Sequence, residues 1–308
     1  MKKLYIIAGV LLCALVIVPV IAGIVSGDRI EIPSSFKGNY ITVQGEKIRC
    51  YQHGKGPDLL LIHGLPGCIE DWDPVFDSLA ARYRVTAYDR PGHGFSSALK
   101  LEYTIQDNAR FARGVINGMG LKNVIVVGHS YGGGIALALA SLDPAGIKAF
   151  ISIAGVCRAI DGVDPVFYLN RIPILGRGFA ALAARLLGKG MVEEGFGDAF
   201  YPNGSLMTAD FLVKRMTVFL QTKVIVTTSQ EETRFSESVE ELARSYKYIM
   251  KPVTVIHGES DRLVPFEDSV WLQKTVPPVK LIPLKNTGHM VQYAHPEIVI
   301  GAVDALSR

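Results

Sequence analysis

A serine lies at the centre of the pattern Gly-His-Ser-Tyr-Gly at residues 128–132. The apolar run 124–127 before it predicts a strand, and the run 135–140 after it predicts a helix. A tight turn between a strand and a helix exposes the hydroxyl of Ser130, and the helix N-terminus points N–H groups to where negative charge develops during acyl transfer. A glycine-rich turn in some other protein could show the same letters, but this context favours a nucleophile.

A serine hydroxyl is a weak nucleophile at neutral pH, so this interpretation requires a histidine base and a carboxylate that orients the histidine. Asp261 follows the β-branched run 252–258, and His289 follows the strand-like run 279–284. Both residues therefore come after a predicted strand, as Ser130 does. We predict a catalytic triad of Ser130, Asp261 and His289.

Two rival residues stay open at this point. His295 is the nearest rival base, but His295-Pro296 predicts the start of the last helix. Asp161 is the rival acid, because it follows the strand-like run 147–154. The other histidines close to the motifs are expected to make structural hydrogen bonds, and they are His63, His93, His129 and His257.

From about residue 38 to its end, the chain resembles the α/β-hydrolases of the esterase, lipase and C–C hydrolase group. The resemblance is carried by the serine motif, by the order Ser, Asp, His along the chain, and by three further motifs. It implies that the backbone N–H groups of Leu65 and Tyr131 form an oxyanion hole, since Pro66 has no N–H to donate. The further motifs are His63-Gly64-Leu65-Pro66-Gly67, Asp89-Arg90-Pro91-Gly92-His93-Gly94-Phe95-Ser96 and His257-Gly258-Glu259-Ser260-Asp261.

The same resemblance implies hydrolysis of a carboxylic ester through an acyl-enzyme, with no metal or organic cofactor. Ser130 would attack the acyl carbonyl while His289 takes its proton and Asp261 fixes the imidazole tautomer. Related epoxide hydrolases and haloalkane dehalogenases use an aspartate nucleophile, so the serine argues against both of those activities. The alternatives are a C–C bond hydrolase or haloperoxidase-like enzyme with the same triad, and a non-catalytic binding protein.

Strands alternate with helical stretches along the 308-residue chain, and 49% of its residues are hydrophobic. This alternation predicts an α/β fold with a mostly parallel sheet covered by helices on both faces, and the resemblance implies eight strands. Residues 38–155 and 251–308 are expected to form this core. Residues 156–250 are too many for a simple crossover, so they predict a helical cap inserted after strand 6. The apolar residues of the cap favour a hydrophobic small-molecule ester, or else they only pack the cap onto the core, and a membrane anchor would favour a lipid-like ester. A net charge of +3 argues against nucleic acid as a partner.

The first residues are predicted to form a separate element, 1–27. Lys2-Lys3 precede an uncharged run from Leu4 to Ser26, which as a helix is long enough to cross the ~30 Å apolar core of a bilayer. We expect an uncleaved anchor that holds the protein on a membrane; the alternative is a cleavable signal peptide, after whose removal the protein is secreted. By the positive-inside rule, the two lysines keep their end cytoplasmic and place the catalytic domain on the non-cytoplasmic side.

Overall fold

Eight strands form one sheet. The computed structural model describes residues 2–28, 31–99, 101–159 and 162–308, so the rival acid Asp161 lies outside the described residues. The strands are β1 (Asn39–Val43), β2 (Glu46–His53), β3 (Asp58–Ile62), β4 (Arg84–Tyr88), β5 (Val124–His129), β6 (Ile147–Ile153), β7 (Val253–Gly258) and β8 (Val279–Leu284).

The sheet is mostly parallel, with the strand order β1-β2-β4-β3-β5-β6-β7-β8. Strand β2 runs antiparallel to β1 and to β4, and the other neighbouring strands are parallel. Every residue of β3 and β5 is buried, as expected for central strands covered on both faces. The predicted eight-stranded sheet is confirmed, and its parallel arrangement brings the loops after β5, β7 and β8 to one edge.

Helices cover both faces of the sheet. Apolar residues of α3 and α4 pack on one face, and those of α2 and α13 pack on the other. The helices are α1 (Lys2–Val25), α2 (Asp73–Ala80), α3 (Ile105–Gly118), α4 (Tyr131–Leu142), α5 (Val166–Leu169), α6 (Gly176–Leu186), α7 (Gly188–Phe200), α8 (Ala209–Phe219), α9 (Thr222–Thr233), α10 (Phe235–Ala243), α11 (Phe266–Thr275), α12 (Val291–Ala294) and α13 (Pro296–Ser307), with 3-10 turns at Ile69–Trp72, Gly204–Leu206 and Tyr246–Tyr248.

The cap predicted after strand 6 is helical. Helices α5 to α10 all lie between β6 and β7, and the described residues of that interval include no strand. Helix α8 packs Val218 and Phe219 against Cys68 and Phe95 of the core. An apolar contact therefore joins the cap to the core.

A buried polar network also joins the cap to the core. Glu231 of α9 forms an ion pair with Arg90, accepts a hydrogen bond from Asn108 Nδ2 at 2.9 Å, and lies 2.9 Å from His93 Nε2. The four side chains are buried. Burial opposes ionisation of Glu231, but the positive Arg90 and then His93 outweigh it and hold the pKa of this carboxyl below its usual value. The cap thus places a charged carboxylate beside a core arginine.

Two glycines allow the turn between β5 and α4 to pack closely. A Cβ added at Gly128 would lie 1.9 Å from the carbonyl oxygen of Gly132, and one added at Gly132 would lie 2.2 Å from the carbonyl oxygen of Ile62. Both distances are far below van der Waals contact. The Gly-x-Ser-x-Gly spacing is therefore a packing requirement of this turn.

The N-terminal helix differs from the expectation. No helix in the described part of the chain is long and apolar enough to cross a membrane, so the anchor predicted over 1–27 is not supported. The end of α1 instead packs on α6, where a Cβ added at Gly178 would lie 1.9 Å from the carbonyl oxygen of Pro19. Beyond the helix, Asp28 accepts a hydrogen bond from Lys223 N at 2.9 Å and pairs with Arg177 at 3.2 Å. The non-cytoplasmic location stays a prediction.

Replacing Glu231 should destabilise the protein. In Glu231→Leu the Arg90 guanidinium stays buried without its counter-ion, which should lower the free energy of unfolding by about 3–5 kcal/mol. Chemical denaturation of the variant and the natural protein measures this loss. Glu237→Leu on the exposed side of α10 is the matched control and should change stability by less than ~0.5 kcal/mol. A loss below ~1 kcal/mol in Glu231→Leu would contradict the structural role of the network.

The glycine requirement can be tested by the same measurement. Gly132→Ala should lower the free energy of unfolding by about 1–3 kcal/mol, because the new methyl group meets rigid backbone. The control is Gly118→Ala in α3, where an added Cβ meets nothing within 4 Å. It should be neutral or should stabilise the helix by up to ~1 kcal/mol. Equal effects of the two substitutions would refute the packing argument.

Candidate active site

Ser130 occupies the turn between β5 and α4 in a strained backbone conformation. Its φ of 55° and ψ of −120° lie in a region that non-glycine residues rarely adopt. Four backbone hydrogen bonds hold it. Ser130 N donates to Ile153 O at 2.9 Å, and Ser130 O accepts from Gly133 N at 2.9 Å, Gly134 N at 3.3 Å and Val156 N at 3.2 Å. Such strain persists only where the surroundings enforce it, and it commonly marks functional sites.

Asp261 and His289 are joined directly at the same edge of the sheet. The Nδ1 of His289 lies 2.7 Å from Asp261 Oδ2, so it donates its proton to the carboxylate. The other carboxylate oxygen, Oδ1, accepts from Leu263 N at 2.8 Å and Val264 N at 3.0 Å. With Nδ1 carrying the proton, the neutral ring keeps Nε2 free to accept one.

A second histidine contacts the same carboxylate. His257 Nε2 lies 3.0 Å from Asp261 Oδ2 and 3.2 Å from Val264 O, so this nitrogen carries the proton. His257 Nδ1 then accepts from Ser269 Oγ at 2.6 Å. The structural hydrogen bond expected for His257 is therefore present, as the bond to Val264 O. The sequence pattern did not predict the contact between His257 and Asp261. The spacing of four residues between His257 and Asp261 in the His-Gly-x-x-Asp motif is the signal that could have indicated it.

These contacts keep Asp261 ionised. Burial opposes the charge, but the positive form of His289 and hydrogen bonds from His257 and His289 outweigh burial and hold the pKa of Asp261 well below its usual range. For His129, burial and then the charge of His289 lower the pKa to about 3, so this ring is neutral. Its Nε2 donates to His289 O at 3.1 Å, which is a structural bond.

His63 and the rival base His295 also make structural hydrogen bonds. His63 Nδ1 donates to Gly64 O at 2.9 Å, and its Nε2 accepts from Arg90 N at 2.8 Å. The rival base His295 lies 3.1 Å from Glu297 Oε1 and 3.0 Å from Thr287 Oγ1. It is not part of the cavity wall that contains Ser130 and His289.

A cavity of about 630 Å³ brings most of the predicted residues together. Ser130, His289, Leu65 and Tyr131 line it, and Asp261 lies behind His289. No hydrogen bond joins Ser130 Oγ to His289 among the residues that the structure describes, which is common for catalytic pairs without substrate. The apolar wall comes mainly from the cap, and it includes Phe167, Leu187, Met191, Phe196, Phe219 and Leu220.

The two residues predicted to supply oxyanion donors both line this cavity. Tyr131 is the first residue of α4, so its N–H has no intrahelical acceptor. Within the described residues, neither the Tyr131 N–H nor the Leu65 N–H donates to a protein group. Arg90 Nη2 donates to Gly64 O at 2.9 Å, and the Arg90 guanidinium lies 4.7 Å from the Tyr131 ring centre. One buried arginine therefore contacts both donor segments.

Comparison with curated proteins finds relatives with different activities. The chain is 25% identical over 260 residues to a pimeloyl-(acyl-carrier protein) methyl ester esterase of Nitrosomonas europaea, covering 82% of this chain and 96% of that protein. It is 24% identical over 273 residues to a 2-hydroxy-6-oxo-2,4-heptadienoate hydrolase of Pseudomonas putida, covering 83% and 90%. It is 33% identical over 129 residues to a haloalkane dehalogenase of Agrobacterium fabrum, covering 41% and 42%.

Structural comparison agrees on the fold. A crystal structure of an α/β hydrolase fold protein from Burkholderia ambifaria superposes with a TM-score of 0.73 at 23% identity, over 90% of this chain and 99% of that chain. A family model described as alpha/beta hydrolase fold matches residues 57–296. With this match over most of its length, and with the sheet, turn and cap described above, the chain belongs to the α/β-hydrolase family.

Proposed function

We propose that the protein is a serine hydrolase that cleaves a carboxylic ester through an acyl-enzyme. The observation that carries the proposal is the 2.7 Å contact between His289 Nδ1 and Asp261, with His289 and the strained Ser130 in the wall of one cavity. The hydrogen bond to Asp261 fixes the tautomer in which His289 Nε2 accepts the serine proton. Ser130, Asp261 and His289 are thus proposed as the catalytic triad.

The reaction has two half-reactions. Ser130 Oγ attacks the acyl carbon while His289 takes its proton, and the N–H groups of Leu65 and Tyr131 donate to the carbonyl oxygen as it becomes negative. The bond from the acyl carbon to the alcohol oxygen then breaks, and His289 gives its proton to the alcohol. In the second half, water attacks the acyl-enzyme with His289 as base, which releases the acid and restores Ser130.

The cavity supports a hydrophobic small-molecule ester as substrate. Its wall is largely apolar, with phenylalanine, leucine and methionine side chains from the cap. Such walls bind alkyl or aryl groups by removing apolar surface from water. The relative named as a methyl ester esterase, which is similar over most of both chains, adds weight to ester cleavage.

A C–C bond hydrolase is the second candidate. The relative named 2-hydroxy-6-oxo-2,4-heptadienoate hydrolase is similar over 83% of this chain, and the same triad could serve that reaction. Turnover of a dienoic diketone without turnover of simple esters would favour it. The local likeness to a haloalkane dehalogenase is outweighed by Ser130, since those enzymes resemble this chain but use an aspartate nucleophile.

A fluorophosphonate probe tests the nucleophile and the base. Intact mass should show one adduct per chain, and the adduct should be absent in Ser130→Ala. His289→Ala should lower kcat/KM for an ester by about 10³-fold or more, because the serine loses its base. His295→Ala is the matched control and should largely retain activity. Absence of labelling in folded protein would favour a non-catalytic binding role, and an equal loss in His295→Ala would refute the assignment of the base.

The acid is tested by isosteric replacement. Asp261→Asn preserves the shape of the side chain but removes the charge that selects the histidine tautomer, so kcat should fall by about 10⁴-fold. The control is Asp161→Asn, which changes the rival carboxylate and should leave kcat nearly unaltered. The reverse result would assign the acid to Asp161. Steady-state kinetics with one ester under identical conditions decides between them.

A further inference from the structure

The mouth of the cavity is apolar. Residues that line the cavity and are also exposed mark the place where it opens to solvent. In the described part of the chain these are two glycines and four large apolar residues, each 38% to 62% exposed, with no charged or polar side chain among them. A substrate therefore passes exposed apolar surface on its way to Ser130. The mouth residues are Val166, Leu187, Met191, Leu263, Gly162 and Gly195.

Exposed apolar surface continues from the mouth over the cap. After α1, every exposed large apolar side chain that the structure describes belongs to the cap, except Leu142 and Leu263. One group of these residues follows Val166 along the chain and another adjoins Leu187. Exposed apolar patches of this kind commonly mark a surface that contacts a partner or a membrane. The groups are Tyr168, Leu169, Ile172 and Ile174 after Val166, and Leu186 before Leu187.

The end of α1 adds to this surface. It packs on α6, yet it leaves seven large apolar side chains exposed. The chain has no charged side chain from Leu4 to Ser26. A specific protein–protein interface has a polar rim, whereas the headgroup layer of a membrane accepts a continuous apolar face. The exposed residues are Leu15, Val16, Ile17, Val18, Ile21, Ile24 and Val25.

Positive charge borders the apolar groups of the cap. Residues 165–192 include four basic residues and no acidic residue. Arg171 and Arg185 are exposed, lie directly before Ile172 and Leu186, and have no ionic partner among the residues that the structure describes. The other two basic residues are Arg177, which pairs with Asp28, and Lys189, which pairs with Glu193. In α7, Asp198 pairs with Arg262, which leaves Glu194 as the nearby carboxylate without an ion pair in the same described part.

A second copy of the chain fits this surface less well than a membrane does. A two-fold dimer through it would bring the unpaired arginines of both copies to one interface and would close the mouth. We propose that the apolar surface around the mouth docks on a membrane that contains anionic lipids, with Arg171 and Arg185 on lipid phosphates. A protein that lies on a membrane in this way needs no helix that crosses it. The inference goes beyond the proposed function, because docking does not depend on turnover.

A dye placed at the mouth tests which face meets the lipid. Leu187→Cys is labelled with the environment-sensitive dye NBD, and Leu142→Cys, at the end of α4 away from Ser130, is the matched control, since both leucines are more than half exposed. Both variants also carry Cys13→Ser, and the other natural cysteines are buried. With vesicles of phosphatidylcholine and phosphatidylglycerol, NBD emission should shift to shorter wavelength at position 187 and stay unchanged at position 142.

Vesicle sedimentation measures what each part of the surface contributes. Leu187→Glu should weaken binding by at least ~10-fold, because it replaces an inserted apolar side chain by a charge. Arg171→Gln and Arg185→Gln should each weaken it by about 5-fold on anionic vesicles. Arg82→Gln, just before β4 at the opposite edge of the sheet, is the matched control and should leave binding unchanged.

Three outcomes would overturn the proposal. Vesicle binding without a shift at position 187 would mean that another part of the chain, such as α1 alone, meets the lipid. A shift that grows with protein concentration in the absence of vesicles would assign the surface to a second copy. Equal binding to pure phosphatidylcholine would refute the role of the two arginines.

Docking and hydrolysis can fail separately. In Ser130→Ala the dye shift and the vesicle affinity should equal those of the natural protein, since the serine lies inside the cavity and not on the docking surface. If the fluorophosphonate probe does not label Ser130, the proposed function fails while the vesicle data still decide whether the mouth meets lipid. If labelling succeeds and the mouth dye does not respond to vesicles, only the docking proposal fails.

Discussion

The buried guanidinium of Arg90 is the group on which the arrangement of the site depends. Removing an arginine from water is costly, and the cost is offset only where opposite charge and hydrogen-bond acceptors surround it. Arg90 finds the charge in Glu231 of the cap and an acceptor in Gly64 O, next to Leu65. It also lies over the ring of Tyr131. One cation therefore sets the position of the cap, of the loop after β3 and of the first residue of α4.

A second buried arginine also joins the cap to the core, but here the arginine belongs to the cap and the carboxylate belongs to the core. Arg215 belongs to the cap and pairs with Asp71 of the core at 2.8 Å, and its Nη2 donates to Tyr293 Oη at 3.1 Å. Ser130 and His289 of the core line one part of the cavity, and the cap supplies most of its apolar wall. On the other side of the base, His257 and Ser269 continue the hydrogen-bond chain behind Asp261, so the carboxylate is fixed from several directions.

The sheet and the position of the candidate triad could be predicted from sequence because both depend on local patterns. Buried parallel strands are short apolar runs, and Ser130, Asp261 and His289 each follow one of them. The pairing of Arg90 with Glu231 could not be predicted, since the two residues are 141 positions apart and adjacent glutamates look alike in a sequence. Hydropathy also predicted a membrane span over Leu4 to Ser26, where the structure packs the end of the helix on the cap. Apolar composition alone does not tell which apolar surface a helix contacts.

The spacing of residues along α9 limits which sequence changes this helix can accept. An α-helix turns by about 100° per residue, so inserting or deleting one residue before Glu231 would rotate its carboxylate away from Arg90. The length of α9 is therefore tightly constrained. Ile225, Thr228 and Glu232 are free of that constraint, because they contact the cavity rather than the core. A point substitution on this helix face can therefore change the cavity wall without disturbing the ion pair that holds the cap, whereas a one-residue insertion or deletion within α9 cannot.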